Sequence, residues 1–319
     1  MAPIMGYTTR LFRNLYHAHF GGFDLAIAPF IVAIGDQKVH PKHLRDVMPE
    51  NGHGLQLIPQ ILSNDPAGFI LLAKELHTLG YDTVNWNLGC PFPMVAKKKR
   101  GSGLLPFPER IQAMLDQVVP RIPNRLSIKT RIGRKAPDEI DALLPLFNQY
   151  PLTELIIHPR TGLQMYEGSV DLEIFARCID RSAHPLVYNG DIVNYQVFET
   201  LKSRFPVINR WMIGRGAIAD PFLAPMIRDG EDAPCDRVNR FRGFHDALVA
   251  ELAGTLCGPG HLLDKMKGYW TFFYRSFTEG ARFFKMIKKL NQMDAFRKEA
   301  DHFFDQEAKW INTISSSRS

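Results

Sequence analysis

One cysteine stands where a reaction could use it. The segment NLGCP (Asn87 to Pro91) follows the apolar run TVNWN and sets Cys90 on a Gly and Pro turn, so a thiol is expected at a strand end where backbone approaches a ligand closely. Cys178 and Cys257 read instead as inert packing thiols. The four cysteines form no CxxC pair, which indicates neither a metal site nor a disulfide framework. Further along, Lys129 ends the run LSIKT and His158 ends ELIIH. A charged lysine closing an apolar strand is costly without an anionic or polar partner. Arg131, two residues on, falls on the same side of its strand. YNGD (Tyr188 to Asp191) and IGRGA (Ile213 to Ala217) put glycine at two later strand ends, with Arg215 a fork-shaped donor beside them. Glycine-lined N–H groups, a helix N-terminus and a guanidinium together suit a phosphate.

These residues need a scaffold that gathers strand ends. Seven apolar runs recur before residue 215, each followed by a helical pattern: 24–30, 56–62, 83–87, 126–130, 154–158, 185–189 and 210–213. Alternating strand and helix with continuously apolar strands predicts a parallel sheet covered on both faces. Each run ends in a polar residue, among them Gln60, Asn87, Lys129, His158, Asn189 and Arg215, as in a (β/α)8 TIM barrel whose active site lies at the C-terminal strand ends. The eighth strand falls at the extreme N-terminus, where only Met1 precedes Ala2-Pro3, so the first strand is expected to be truncated. After Pro221 the alternation stops. RDGEDAPCD (Arg228 to Asp236) reads as a linker, and helical pattern runs from Val238, broken at GPGH (Gly258 to His261). The expected division is a barrel over 1–232 and a C-terminal helical bundle over 233–319, with a disordered SSSRS tail.

Composition agrees with a large globular chain: 319 residues, 45% apolar and 23% charged, which excludes disorder, collagen and coiled coil. No apolar run approaches the roughly 20 residues of a membrane span and MAPIMGYTTR lacks signal-peptide character, so a cytoplasmic protein is expected. Basic residues outnumber acidic ones by 39 to 33. The excess is concentrated. Lys265 to Lys298 holds nine basic residues against two acidic ones, interleaved with nine aromatics. A solvated basic face over an aromatic core and a grip for a polyanion both explain that segment.

The ordered motifs APIM (Ala2 to Met5), PQI with Gln60, NLGCP, GSGLL (Gly101 to Leu105), IKTRIG, IHPRTGLQMYEG, YNGD and IGRGA, followed by the basic helices, resemble the bacterial tRNA-dihydrouridine synthases over nearly the whole chain. That resemblance implies an FMN-dependent barrel, reduced by transiently bound NADPH, that passes hydride to C6 of a tRNA uridine while Cys90 protonates C5. The chemistry is coherent: hydride addition at C6 builds enolate charge that needs a placed acid, and an ordinary thiol, pKa about 8.5, is protonated at pH 7. By the same resemblance Pro3, Ile4 and Met5 contact flavin, although relatives usually carry Met where Ile4 stands. Gln60 and Lys129 serve the flavin ring and its surroundings. His158, Asn189, Gly190, Asp191, Gly214 and Arg215 form the rest of the flavin site, chiefly its phosphate end. Asn87 holds the uracil edge and Arg131 serves substrate or phosphate.

Uridine in folded tRNA is stacked and must be extruded to react. The basic loop residues Lys97, Lys98 and Arg100, with Lys265, Lys267, Arg275 and Arg282 of the helical region, are therefore assigned to RNA, and the protein is expected to be a monomer needing no membrane or protein partner. A barrel flavoprotein reducing a free small-molecule enone or pyrimidine explains the cavity motifs but not the basic helices. A catalytically silent RNA-binding relative explains the helices but not Cys90. The motifs leave open which uridine is modified.

Overall fold

Each expected apolar run contributes strand. The computed structural model describes residues 1–33, 35, 40–51, 54–230 and 235–311. Its strands are β1 (Leu25–Ile27), β2 (Ile31–Val32), β3 (Gln56–Ile58), β4 (Gln60–Leu62), β5 (Thr83–Leu88), β6 (Arg125–Gly133), β7 (Leu152–Thr161), β8 (Leu186–Tyr188) and β9 (Arg210–Trp211). All pairings are parallel: β1 with β3, and β2, β4, β5, β6, β7, β8, β9 in that order. Proline has no N–H to give a ladder, and the two strand paths that break do so around Pro29 and at Pro59. Helices such as Pro66–Thr78, Pro108–Val118 and Leu172–Arg181 cover the outside, the last burying Ile174, Phe175 and Cys178 behind an Asp171 cap.

The two residues Met1 and Ala2 close the ring. Ala2 N donates to Ile213 O beyond β9 (2.8 Å), and Ile27 N of β1 donates to Met1 O (3.1 Å). The expected short first strand is thus a two-residue bridge between the first and last strands, and the fold is a (β/α)8 barrel with a helical C-terminal region. Thr8 holds the segment in place: its hydroxyl accepts from Ile4 N (2.8 Å) and donates to Ala2 O (3.1 Å).

The C-terminal helices are Arg237–Thr255, Pro259–Phe273, Gly280–Ile287 and Met293–His302, and the first two are separated at Gly258, which has φ +87. Tyr269, Trp270, Phe273, Phe277 and Phe283 are buried, so much of the aromatic content of the basic segment is core. The helix Arg10–His19 joins this region to the barrel. Its Phe12 stacks on Tyr269 (5.4 Å between ring centres) and meets Phe244 edge-on (5.7 Å), and Tyr16 donates to Pro221 O (2.7 Å). One apolar cluster runs through both regions. The expected boundary between residues 232 and 233 and the SSSRS tail lie outside the described residues. Replacing Phe12 by Ala removes a fully buried ring at this junction and is expected to cost about 3–5 kcal/mol, read as a lower denaturant midpoint.

Candidate active site

The turn after β5 holds Cys90, 8% exposed, against one wall of a cavity of about 300 Å³ at the C-terminal mouth of the barrel. Asn87 Oδ1 accepts from Gly89 N (3.1 Å) and Cys90 N (2.8 Å). Cys90 O in turn accepts from Ser102 N and Ser102 Oγ, both at 3.0 Å. Gly101 has φ +54, and a Cβ there would lie 2.8 Å from Cys90 O, so GSGLL packs over the cysteine with no room for a side chain. Two guanidinium groups fasten the turn to neighbouring strands. Arg131 donates from Nε to Gly89 O (3.0 Å) and from Nη1 to Thr161 O (2.7 Å), while Arg134 Nη1 donates to Pro91 O (3.1 Å). Burial pushes the Cys90 thiol up, more than the nearby cations lower it, so the group stays protonated at neutral pH.

Strand register builds a polar ladder beneath that turn. Gln60 pairs with Asn85 and Asn85 with Ser127 across β4, β5 and β6. Gln60 Nε2 donates to Asn85 Oδ1 (2.8 Å), Asn85 Nδ2 to Ser127 Oγ (2.8 Å) and Asn87 Nδ2 to Gln60 Oε1 (2.7 Å). Asn87 therefore lines the cavity with its carbonyl oxygen committed to the cysteine turn. Gln60 is fully buried, does not line the cavity and supports Asn87 from behind.

The cavity wall beside the cysteine turn is cationic. Lys129, Arg131 and Arg215 line the cavity with one carboxylate, Asp191. Asp191 binds Arg215 Nη2 through Oδ1 (2.8 Å) and the buried Arg160 through Oδ2. The Lys129 ammonium has no partner among the described residues, and burial beside Arg131 lowers its pKa to about 7. His158 is held well below its usual value by burial, then by Arg131, Lys129, Arg160 and Arg215. It is a neutral imidazole. Its Nε2 lies 3.3 Å from Arg160 Nη1, which can only donate, so Nε2 accepts and Nδ1 carries the proton.

The N-terminal segment and the C-terminal region also line the cavity. Pro3, Ile4 and Met5 form a wall beside Gly214, and Phe272 reaches in from the C-terminal region. Asn189 Nδ2 donates to Met212 O (2.8 Å), tying the loops after β8 and β9. A Cβ on Gly216 would lie 2.0 Å from Ile192 O, so those two loops pack backbone to backbone. Sequence reasoning gave no weight to Tyr166, over which Arg215 and Arg131 sit at 4.4 and 5.4 Å. It stands inside the motif IHPRTGLQMYEG, the signal that could have found it. Phe272 was also missed, because a helical pattern does not tell which end of a helix meets the barrel mouth, and so was Arg160, which stands in the same motif as Tyr166.

The residues assigned to RNA divide. Lys97 and Lys98 are exposed on the loop after Cys90, whereas Arg100 Nε donates to Asn64 Oδ1 (3.0 Å). Lys265 is half-buried, donating to Gly6 O with its ammonium 5.4 Å from the rings of Tyr7 and Tyr269, and Lys267 donates to Leu290 O. Both hold structure rather than standing free on the face the sequence suggested. Arg282 is exposed but paired with Glu279 (3.1 Å) and Glu307 (2.6 Å). Arg275 is exposed over the Tyr274 ring, and Lys285, Lys288 and Lys289 are exposed on the next helix and its end. Among the described residues no helix is long and apolar enough to cross a membrane.

The arrangement defines an α/β barrel whose mouth sets a protonated thiol beside a cationic wall. The model of the dihydrouridine synthase family matches residues 1–314, and the chain belongs to that family. It is 23% identical over 318 residues to a tRNA-dihydrouridine(16) synthase of Vibrio vulnificus, covering 96% of this chain and 97% of that one. It is 28% identical over 316 residues to the protein of the same name from Neisseria meningitidis serogroup B, covering 93% and 92%. Among solved structures it resembles an old yellow enzyme homologue from Zymomonas mobilis (TM-score 0.52, 12% identity, 76% of this chain and 91% of that one). It also resembles histamine dehydrogenase from Rhizobium sp. 4-9 (TM-score 0.52, 12% identity, 84% of this chain), spanning 48% of that longer chain. These two likenesses show the barrel fold.

The lysine gives a pH test. With a folded pKa of about 7 against an ordinary 10.5, Lys129 is charged in the unfolded chain and neutral in the folded one between those values. The unfolded state binds the extra proton there, so its burial penalty is full below pH 7 and fades as pH rises toward 10. Stability of the ligand-free protein, followed by denaturant midpoint, should gain a rising component over that window that Lys129→Met abolishes.

Proposed function

We propose that this chain is a cytoplasmic, FMN- and NADPH-dependent reductase of the C5–C6 double bond of uridine 16 in tRNA, the position taken from the relatives' printed names. The observation that carries the reading is the buried, protonated Cys90 thiol on a rigid turn facing a cationic cavity. The donor set fits a flavin mononucleotide: the unpartnered Lys129 ammonium suits an electron-poor ring system that gains negative charge on reduction, and Arg215, held on one side by Asp191, suits a phosphate. Pro3, Ile4, Met5, His158, Asn189, Gly190 and Gly214 complete that wall. The chemistry FMN supplies when bound is hydride delivery, with NADPH as reductant.

The chain's own residues do the rest. As hydride adds at C6 of uracil, charge develops over C5 and the C4 carbonyl, and Cys90 gives its proton to C5. Asn87 and Arg131 hold that thiol at a fixed height by fixing both sides of its turn. His158, neutral, adds no acid of its own beside the cysteine. The exposed cations Arg275, Lys285, Lys288 and Lys289, with Lys97 and Lys98 near the cavity, grip the tRNA backbone, while Lys265, Lys267 and Arg282 shape the surface that presents them.

The decisive test is anaerobic: NADPH should bleach the flavin bands of the purified protein and unmodified tRNA transcript should restore them, with dihydrouridine located by nuclease mapping. Flavin that is reduced but ignores tRNA would return the protein to small-molecule reduction. Cys90→Ala is expected to leave flavin binding and NADPH oxidation intact yet slow dihydrouridine formation about 10²- to 10⁴-fold, measured by single turnover. Neutralising Lys285, Lys288 and Lys289 together should weaken tRNA binding and flatten the plot of log K against log salt by roughly 0.7–0.9 for each phosphate no longer neutralised.

A further inference from the structure

Large exposed apolar side chains crowd one place on this molecule. Among the described residues Met5, Phe92, Tyr166 and Val193 are exposed and line the cavity mouth. Met94, 82% exposed, stands two residues beyond Phe92, and Leu163, 61% exposed, stands three before Tyr166. Such a collection marks a contact site rather than chance exposure.

The Phe92–Met94 and Leu163–Tyr166 tips belong to different loops, after β5 and at the end of β7, yet they are fastened together. Arg134 donates to Pro91 O (3.1 Å) and its own carbonyl accepts from Leu163 N (3.0 Å). Arg131 bridges Gly89 O and Thr161 O beneath them and lies under the Tyr166 ring. The backbones of the two tips are therefore held side by side before anything binds, so bringing the loops together costs nothing further. Next to them stand the exposed ammonium groups of Lys97 and Lys98. An apolar ledge flanked by free cations matches single-stranded nucleic acid, which offers base faces on one side and phosphates on the other.

We propose that Phe92, Met94, Leu163 and Tyr166 form a stacking ledge for the nucleobases flanking the extruded uridine. The proposal rests on the tRNA reading above and adds to it the surface that stabilises the opened loop. A base leaving its stack exposes the faces of both neighbours, and apolar side chains beside the cavity cover those faces as the uridine enters.

The test uses the full-length, flavin-loaded protein and unmodified tRNA transcript, comparing it with Met94→Ser/Leu163→Ser, which changes neither the cysteine turn nor the cationic wall. The double variant is expected to raise the Kd for tRNA about tenfold through the apolar cover it takes from the flanking base faces, with the salt slope and NADPH reduction unchanged. Lys97→Ala/Lys98→Ala should instead flatten the salt slope. Equal melting temperatures check the fold, and the conservative swap Met94→Leu/Leu163→Met should restore wild-type affinity. A double-serine variant that binds tRNA as tightly as the wild type overturns the ledge, as does a weakening accompanied by a flatter salt slope, since the effect would then be electrostatic. A wild-type protein whose reduced flavin is not reoxidised by tRNA overturns both the ledge and the reading beneath it.

Discussion

A buried guanidinium, Arg131, joins two loops that the sheet alone leaves separate. Its Nε and Nη1 reach carbonyls of Gly89 and Thr161, so the cysteine turn after β5 and the loop ending β7 share one strut. Burial lowers its pKa to about 10, which still leaves it charged at neutral pH. A charge in that position must be hydrogen-bonded or it would not be tolerated. Its partners are carbonyls and an aromatic face, not carboxylates, so its positive charge remains available to the cavity. Burial depresses Lys129 and His158, and that same charge lowers both further.

The cysteine's chemistry depends on a contest between burial and these cations. Nearby positive groups favour thiolate, whereas desolvation favours thiol, and desolvation is the larger influence. The structure thus holds the thiol form at this turn despite the cations around it. The Gln60, Asn85 and Ser127 ladder contributes without touching the cavity, because it fixes the amide of Asn87 and thereby the N–H groups of the turn.

The C-terminal helices complete this mouth as well as packing on its rim. Tyr7 sits edge-on between Tyr269 (5.4 Å) and Phe272 (5.0 Å), and Lys265 donates to Gly6 O, so the N-terminal segment is clamped from the helical side. That segment closes the barrel and lines the cavity. The helical region is accordingly coupled to the reaction site through eight residues at the start of the chain.

The barrel was legible in the sequence because parallel strands buried on both faces leave continuous apolar runs, and each run ended in the polar residue that the structure sets at or near the mouth. Cys90, Lys129, His158, Asn189, Asp191 and Arg215 were visible for that reason, since strand order and period two already place a strand's last residues at one end of the sheet. Charge runs carry no such geometry. Nothing in a linear count distinguishes Lys265, folded onto a carbonyl, or Arg282, paired with two carboxylates, from Lys285 and Lys289, which stand free in solvent. Gln60 shows the same limit inside the barrel: its type and position were apparent, but only the register with Asn85 turned its amide away from the cavity and toward Asn87. Sequence by itself determined the fold, the family and the cysteine, which follow from local pattern. Tertiary structure decided which cations are free, which thiol form is held and which loops share a strut, because each of those depends on distances between residues far apart in the chain.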